Sequence, residues 1–109
     1  MKSLKLMALD VGTKRIGIAL ADSFIKIAIP FTTVEVNNDV DSAIKQIIEI
    51  ISKEEIDILV VGLPRNQSGE ETSQTAYTKE FVKNFEYSVD DATGAETLKY
   101  KPRIFSASV

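Results

Sequence analysis

The 109-residue sequence contains no cysteine and no histidine. Without cysteine, the chain forms no disulfide and offers no thiolate ligand to a metal. Without histidine, it has no Ser-His nucleophile pair, no imidazole zinc site and no histidine general base. Any catalysis must therefore use carboxylates, lysine, tyrosine, hydroxyl groups or a bound metal. Carboxylates without nitrogen or sulfur partners favour hard cations, so the expected ion is Mg²⁺ or Mn²⁺.

Long apolar runs are missing as well. No stretch of the sequence approaches the ~20 apolar residues that a membrane-spanning helix needs. The amino terminus has neither the apolar core nor the small-residue cleavage site of a signal peptide. The sequence therefore predicts a cytoplasmic protein without a membrane partner.

A large excess of positive charge is also absent, because the net charge is −3. This value argues mildly against a surface coated for nucleic acid, but a local basic patch can still bind phosphate beside an acidic metal site. Two basic clusters are present, Lys14-Arg15 and the group formed by Lys99, Lys101 and Arg103. The second cluster is equally well explained as a solvated segment.

Apolar patterning predicts five strands in one domain that covers residues 1–109. The second strand alternates large and small side chains, and Pro30 in the third indicates an edge position or a bulge. Short turns join the first three strands, so we expect antiparallel pairing there and parallel pairing for the later ones. The predicted strands are residues 4–9, 16–21, 25–36, 58–62 and 103–109.

Two helices are predicted between the later strands. The first carries isoleucines at the i, i+3, i+4, i+7 spacing of an amphipathic helix, and Asp41 or Ser42 can cap it. The second is expected to hold Glu70 and Glu71 in its first turn, where negative charge suits the helix dipole. Residues 90–96 are predicted to form a loop. The apolar faces are Ile44, Ile47, Ile48 and Ile51 in the first helix and Tyr77, Phe81 and Phe85 in the second.

These elements predict an α/β fold with a mixed five-stranded sheet flanked by helices. In such sheets, sites form outside the carboxyl ends of the parallel strands. Asp10 ends the first predicted strand, and the polar loop 63–69 follows the fourth. Both features are therefore expected at the same edge of the sheet.

Asp10 interrupts an otherwise apolar strand. A desolvated carboxylate is costly unless it is paired, hydrogen-bonded or bound to metal, so Asp10 is a candidate metal ligand and catalytic residue. Gly12 leaves room for a phosphate to approach, and Lys14 and Arg15 supply positive charge beside that space. The alternative is that Asp10 only caps a turn through the backbone.

Two longer motifs resemble a known family. Residues 8–22, Ala-Leu-Asp-Val-Gly-Thr-Lys-Arg-Ile-Gly-Ile-Ala-Leu-Ala-Asp, resemble the opening motif of the YqgF family, also called RuvX. Residues 60–69, Val-Val-Gly-Leu-Pro-Arg-Asn-Gln-Ser-Gly, are similar to that family's Val-Gly-Leu-Pro loop. Residues 28–30 stand where the family often has Ala-x-Pro. The resemblance covers about residues 4–85. The family includes pre-16S rRNA nucleases and Holliday junction resolvase-like proteins.

The resemblance implies a ribonuclease H-like fold and metal-dependent cleavage of nucleic-acid phosphodiesters, in an rRNA precursor or branched DNA. It implies that Asp10 is the first carboxylate of a two-ion site. It further implies that Lys14 and Arg15 contact phosphates, as Arg65 and Asn66 of the loop are also expected to do. A solvated turn explains Arg65 and Asn66 almost equally well.

The sequence departs from the family at its end. Relatives continue past the fifth strand with an Asp-Glu-Arg-type motif and a helix that carries another acid, whereas this sequence stops at residue 109. We therefore expect a domain that is incomplete at its carboxyl end, inactive or weakly active alone, with an uncovered sheet surface that favours a homodimer. Asp22 could supply a second acid, although a surface turn suits it better. Asp90, Asp91 and Glu96 fall in the predicted loop.

Two other functions stay open. The Asp-x-Gly-Thr turn at residues 10–13 also resembles the phosphate-gripping turn of sugar kinases and actin-like ATPases. Those proteins close two lobes over a nucleotide, and 109 residues make one lobe at most. The other alternative is a non-catalytic module that binds nucleic acid.

Overall fold

The computed structural model describes residues 3–94, 98 and 101–108. These residues form one five-stranded sheet in the order β3-β2-β1-β4-β5, with β1 at its centre. Two helices complete the described fold. The bounds are β1 Lys5–Val11, β2 Arg15–Asp22, β3 Ile29–Glu35, α1 Val40–Glu54, β4 Ile58–Leu63, α2 Ser73–Gly94 and β5 Arg103–Ser108.

The pairing of the strands is mixed. β1 pairs antiparallel with β2, and β2 pairs antiparallel with β3. β1 pairs parallel with β4, which follows α1 in the chain, and β4 pairs parallel with β5, which follows α2. The predicted fold class is therefore confirmed. β3 is an edge strand, and the register shifts between Ile18 and Ala19 as Ala19 reaches Pro30, which confirms the interpretation of that proline.

The hydrophobic core lies on one side of the sheet. Alternate residues of β1, β2 and β4 point to this side, as the two-residue period of a strand requires. The predicted isoleucine stripe of α1 and the aromatic residues of α2 cover them. The Phe81 and Phe85 rings stack with centroids 5.9 Å apart. The fully buried side chains include Met7, Ile16, Ile44, Ile47, Leu59, Val61 and Phe85.

The other side of the sheet is the open face, and no described residue packs over it. On this face the central strands carry small side chains, and Phe105 of β5 is 51% exposed. Asp10 is also exposed here, because it alternates with the buried Leu9 and Val11. The residues of the open face that matter below are Ala8, Asp10, Gly17, Ala19, Val60, Gly62, Phe105 and Ala107.

The start of α1 differs from the prediction. Asp39, rather than Asp41 or Ser42, is the N-cap, and its carboxylate accepts a hydrogen bond of 3.0 Å from the Ser42 backbone N–H. The helix begins at Val40, so Asp41 and Ser42 lie inside its first turn. Several polar residues precede the isoleucine stripe, and the stripe does not indicate which of them is the N-cap.

α2 is shifted along the chain relative to the prediction at both ends. It begins at Ser73, so Glu70 and Glu71 precede it, and its first turn has no acidic residue. A reciprocal pair of side chain–backbone bonds between Thr72 and Thr75 forms this start. The helix continues to Gly94, so the predicted loop is wrong for residues 90–94, and residues 95 and 96 lie outside the described part.

Candidate functional site

Asp10 lies near the carboxyl end of the central strand, opposite Gly17 of β2. Its side chain is exposed on the open face. Asp10 is therefore not desolvated, contrary to the prediction from sequence, and its neighbours Leu9 and Val11 are the buried residues. An exposed carboxylate at this position is accessible to a cation or to a hydrated substrate.

The turn after β1 requires glycine at residue 12. The Gly12 backbone N–H donates a 2.9 Å hydrogen bond to the Arg15 carbonyl, which closes the turn between β1 and β2. A Cβ atom at residue 12 would lie 2.6 Å from that carbonyl oxygen. The structural role of Gly12 is thus the close approach of two backbone segments, and its contact with phosphate stays a prediction.

Lys14 and Arg15 lie at the same turn, and both side chains are exposed. The Arg15 Nε atom is 4.0 Å from the Glu35 carboxylate across the β2–β3 pair, with both side chains more than half exposed. An exposed ion pair at this distance contributes little free energy, so it does not prevent the Arg15 side chain from reaching a phosphate.

Asn66 organises the loop that follows β4, which we call the β4 loop. Its side-chain oxygen accepts hydrogen bonds from the backbone N–H groups of Ser68 and Glu70, at 3.0 and 2.9 Å. Its backbone N–H donates to the Glu70 carbonyl. The interpretation of Asn66 as a turn residue is confirmed by these bonds, and any contact with phosphate would have to use the rest of its amide.

Arg65 is half-buried in the same loop. One of its guanidinium nitrogens, Nη1, lies 3.5 Å from the Gly69 carbonyl and 3.9 Å from the Glu71 carboxylate. Glu71 also accepts a 2.7 Å bond from Lys79 of α2. The hydrogen bond and the charge of Lys79, with a smaller contribution from Arg65, hold the pKa of Glu71 below its usual value.

The first turns of α2 join the two strand ends that carry the site. The Gln74 amide donates a 2.9 Å hydrogen bond to the Val11 carbonyl, next to Asp10 in the chain. The buried Thr75 hydroxyl donates to the Pro64 carbonyl, at the start of the β4 loop. No local sequence pattern predicts the roles of Gln74 and Thr75, because their partners lie 63 and 11 residues away in the chain.

The other candidate acids lie elsewhere. Asp22 is at the opposite end of β2, where its carboxylate accepts bonds from the Phe24 and Ile25 N–H groups and so forms a turn. It is five residue steps of an extended strand from the position opposite Asp10, which is roughly 17 Å. Asp90 and Asp91 are on α2, and Asp90 pairs with Lys101 at 2.8 Å. The two residues Lys99 and Glu96 lie outside the described part.

A shallow cavity of about 560 Å³ surrounds Asp10 on the open face. Among the described residues that line it, Asp10 is the only acid. Within residues 3–94, 98 and 101–108, no three or more Asp or Glu side chains lie close enough together to hold a metal ion. A single carboxylate can bridge two ions but cannot fill their coordination shells, so the described residues by themselves do not complete a two-ion site.

The comparison with known sequences covers most of the chain. Residues 4–97 match the family model described as RuvX, Holliday junction resolvase. A protein of Roseobacter denitrificans named "Putative pre-16S rRNA nuclease" is 36% identical over 85 residues, which are 77% of this chain and 51% of that protein. A Sulfurihydrogenibium protein of the same name is 40% identical over 80 residues, 73% of this chain and 53% of that protein. The chain thus spans about half the length of these relatives.

The comparison with solved structures supports the fold. RuvC of Thermus thermophilus, in complex with a Holliday junction substrate, superposes with a TM-score of 0.60 at 12% identity. The match covers 96% of this chain and 64% of RuvC. The mixed five-stranded sheet with its helices has the ribonuclease H-like fold of that neighbour. Together with the sequence match over residues 4–97, this shows that the chain belongs to the RuvX family of Holliday junction resolvase-like and pre-16S rRNA nuclease proteins.

Proposed function

We propose that this chain is the sheet-bearing part of an endonuclease that acts on structured nucleic acid, with the 5′ processing of pre-16S rRNA as its expected task. The position of Asp10 carries the proposal. Its carboxylate is exposed near the carboxyl end of the central parallel strand, beside the Gly12 turn and one strand away from the β4 loop. Substrates of α/β sheets approach at this edge.

In this proposal, Asp10 contributes one carboxylate to a site for Mg²⁺ or Mn²⁺. Oxygen ligands suit these hard cations, and the chain offers no competing histidine or cysteine. Since Asp10 is the only acid lining its cavity among the described residues, further acids must come from outside this set. Cleavage by the 109-residue chain alone is accordingly expected to be weak or undetectable.

Lys14 and Arg15 are proposed to contact the nucleic-acid backbone. Both are exposed at the turn next to Asp10, and positive charge there offsets the repulsion between phosphate and carboxylate. Arg65, which Gly69 and Glu71 direct, and the rest of the Asn66 amide are proposed to contact phosphate from the β4 loop at the same edge. A cytoplasmic location follows from an rRNA substrate. Neither helix of the described chain has the length and apolar composition that crossing a bilayer requires.

The test is a thermal-shift series on the purified chain with three additions. These are Mn²⁺ with a branched DNA, Mn²⁺ with a single-stranded RNA, and ATP with Mg²⁺. We expect nucleic acid with Mn²⁺ to raise Tm, because a ligand that binds only the folded state stabilises it. Asp10→Asn should reduce the part of the shift that depends on Mn²⁺, whereas Asp41→Asn, a matched change of an exposed acid on α1, should leave it unchanged.

The other outcomes separate the alternatives. Stabilisation by ATP with Mg²⁺ and by neither nucleic acid would replace the nuclease proposal with a nucleotide-binding one. Binding of nucleic acid that is the same for Asp10→Asn and the parent, with or without Mn²⁺, would indicate a non-catalytic binding module. Robust cleavage that needs Asp10 would contradict the expectation of weak activity but support the proposed reaction.

A further inference from the structure

The pairing between β1 and β4 ends before either strand does. The last pair in its register is Leu9↔Val61. Beyond that pair, β1 continues to Val11 beside β2, and β4 continues to Leu63 beside β5. The sheet is therefore split between β1 and β4 at the edge where Asp10 and the β4 loop lie.

The residue that follows β4 explains why the pairing stops. Continued by two residues, the register would bring Val11 opposite Leu63, and the next residue in the chain is Pro64. Proline has no backbone N–H, so it cannot give the Val11 carbonyl the hydrogen bond that continues a parallel ladder. Val11 is only 4% exposed, and a buried carbonyl without a donor is costly, so the donor has to come from another element.

Gln74 supplies that donor. It is the second residue of α2, and its side-chain amide donates the 2.9 Å bond to the Val11 carbonyl. The next residue, Thr75, is fully buried and donates its hydroxyl to the Pro64 carbonyl on the other side of the split. Two adjacent residues of α2 thus bond to both sides of the split and fix the spacing between the end of β1 and the β4 loop.

The groups on the two sides of the split are the proposed contacts with nucleic acid. Asp10, Lys14 and Arg15 lie on the β1 side, and Arg65 lies on the β4 side. A nucleic-acid backbone that contacts both sides meets these groups at one separation only while the two sides are held together. Groups that are already held in place cost less to order on binding, so the spacing affects affinity.

We propose that Gln74 is a positioning residue of the nucleic-acid site. Its amide is bonded to the Val11 carbonyl, so it acts through the backbone next to Asp10 rather than on the substrate. Without this amide, the end of β1 and the Gly12 turn can move independently of the β4 loop. The inference rests on the proposed function, because it concerns binding at the edge that carries Asp10.

The first measurement needs no nucleic acid. The Gly12 N–H donates to the Arg15 carbonyl directly after Val11, so its hydrogen exchange, followed by NMR, reports how often the end of β1 opens. Gln74→Met removes the donor at similar side-chain length, and we expect the Gly12 N–H to exchange about 5-fold faster, with a smaller change at the core residue Leu59. Gln74→Lys, whose ammonium can also donate to a carbonyl, should keep the exchange slow.

The second measurement is the Kd of a fluorescently labelled branched DNA in the presence of Mn²⁺, by fluorescence anisotropy. Gln74→Met should raise the Kd about 5-fold in the parent chain. In an Arg65→Gln background the contact from the β4 loop is weakened, so the spacing matters less and the same change should raise the Kd less than about 2-fold. A role of Gln74 in stability alone would give the same factor in both backgrounds.

Gln46→Met is the matched control, because the Gln46 amide also donates to a backbone carbonyl, that of Ser42 on α1. It should change neither the exchange of the Gly12 N–H nor the Kd. A parent chain that binds no nucleic acid defeats the proposed function, and the positioning role with it. A parent chain that binds, with a Kd that Gln74→Met leaves unchanged or raises equally in both backgrounds, overturns the positioning role alone, as does an unchanged exchange of the Gly12 N–H.

Discussion

Two glycines near Asp10 have different roles at the residue scale. A Cβ at residue 12 would lie 2.6 Å from the Arg15 carbonyl oxygen, which is backbone and cannot rotate away. A Cβ at residue 17 would meet the nearest atom, the Asp10 Cβ, at 3.7 Å, an ordinary contact. The first glycine is required by the turn, and the second only keeps the surface beside Asp10 low.

We therefore expect Gly12→Ala to lower the free energy of unfolding by about 1–3 kcal/mol, since the turn must open to admit the methyl group. Gly17→Ala is the matched control and should change it by less than about 1 kcal/mol. Urea denaturation followed by circular dichroism measures both variants. Equal losses in the two proteins would show that the contact at Arg15 is not what restricts residue 12.

At the scale of the element, the start of α1 depends on Asp39. Its carboxylate satisfies the Ser42 N–H, one of the backbone donors that a helix leaves unpaired at its start. Asp39→Ala should lower the free energy of unfolding by about 1 kcal/mol, the usual value of an N-cap.

Asp41→Ala is the comparison for this variant, because the sequence pattern predicts Asp41 or Ser42 as the cap. Asp41 lies in the first turn, so its replacement loses a favourable dipole interaction of about 0.3–1 kcal/mol and gains up to about 0.7 kcal/mol of helix propensity. The net change should be close to zero in urea denaturation. If Asp41→Ala lowered the stability more than Asp39→Ala, Asp41 rather than Asp39 would be the N-cap in solution.

The β4 loop and α2 are linked by the Glu71–Lys79 ion pair, which makes one contribution to stability depend on pH. The pKa of Glu71 is below its usual 4.5, chiefly because Lys79 donates a hydrogen bond to it. The contribution of the pair is therefore present above pH 4.5 and is lost as the pH falls through the lowered pKa. Both groups are exposed, so the effect on stability is small.

Lys79→Met should raise the pKa of Glu71 back towards its usual value, because the main donor is removed. NMR titration of the Glu71 side chain measures this shift. Lys83→Met removes the same charge one turn further along α2 and should leave the titration unchanged. An unaltered Glu71 titration in Lys79→Met would mean that the ion pair does not form in solution.

At the scale of the whole molecule, the fold has one core and one uncovered side. Val60 and Val61 are adjacent on β4, but Val61 is 1% exposed beneath the helices, while Val60 lines the cavity on the open face. Truncating each valine to alanine therefore tests whether the side of the sheet under the helices is packed more tightly than the open face.

Val61→Ala should lower the free energy of unfolding by about 2 kcal/mol, the transfer energy of the lost methyl groups plus the cavity that remains. Val60→Ala should cost less than about 1 kcal/mol, because Val60 is only partly buried on the open face. Chemical denaturation measures both. Equal losses would indicate that the open face is as well packed as the core.

Sequence alone determined the order of the elements, the mixed pairing of the sheet and the family. These depend on local signals, each of which involves residues only a few positions apart in the chain. The signals are the alternation of side chains along a strand, the helical stripe that includes Ile44 and Ile48, and the short turns. It also placed Asp10 and the β4 loop at one edge, since parallel strands end on the same side.

Tertiary structure decided the environment of the site. Whether Asp10 is buried depends on which face of β1 the helices cover, and the sequence pattern of one strand does not state that. The contacts of Gln74 with Val11 and of Thr75 with Pro64 join residues from different elements, and the caps at Asp39 and Thr72 depend on which donor each side chain meets. The open face likewise forms only when β1, β2 and β4 lie side by side, because its residues are scattered along the chain and are brought together by the sheet.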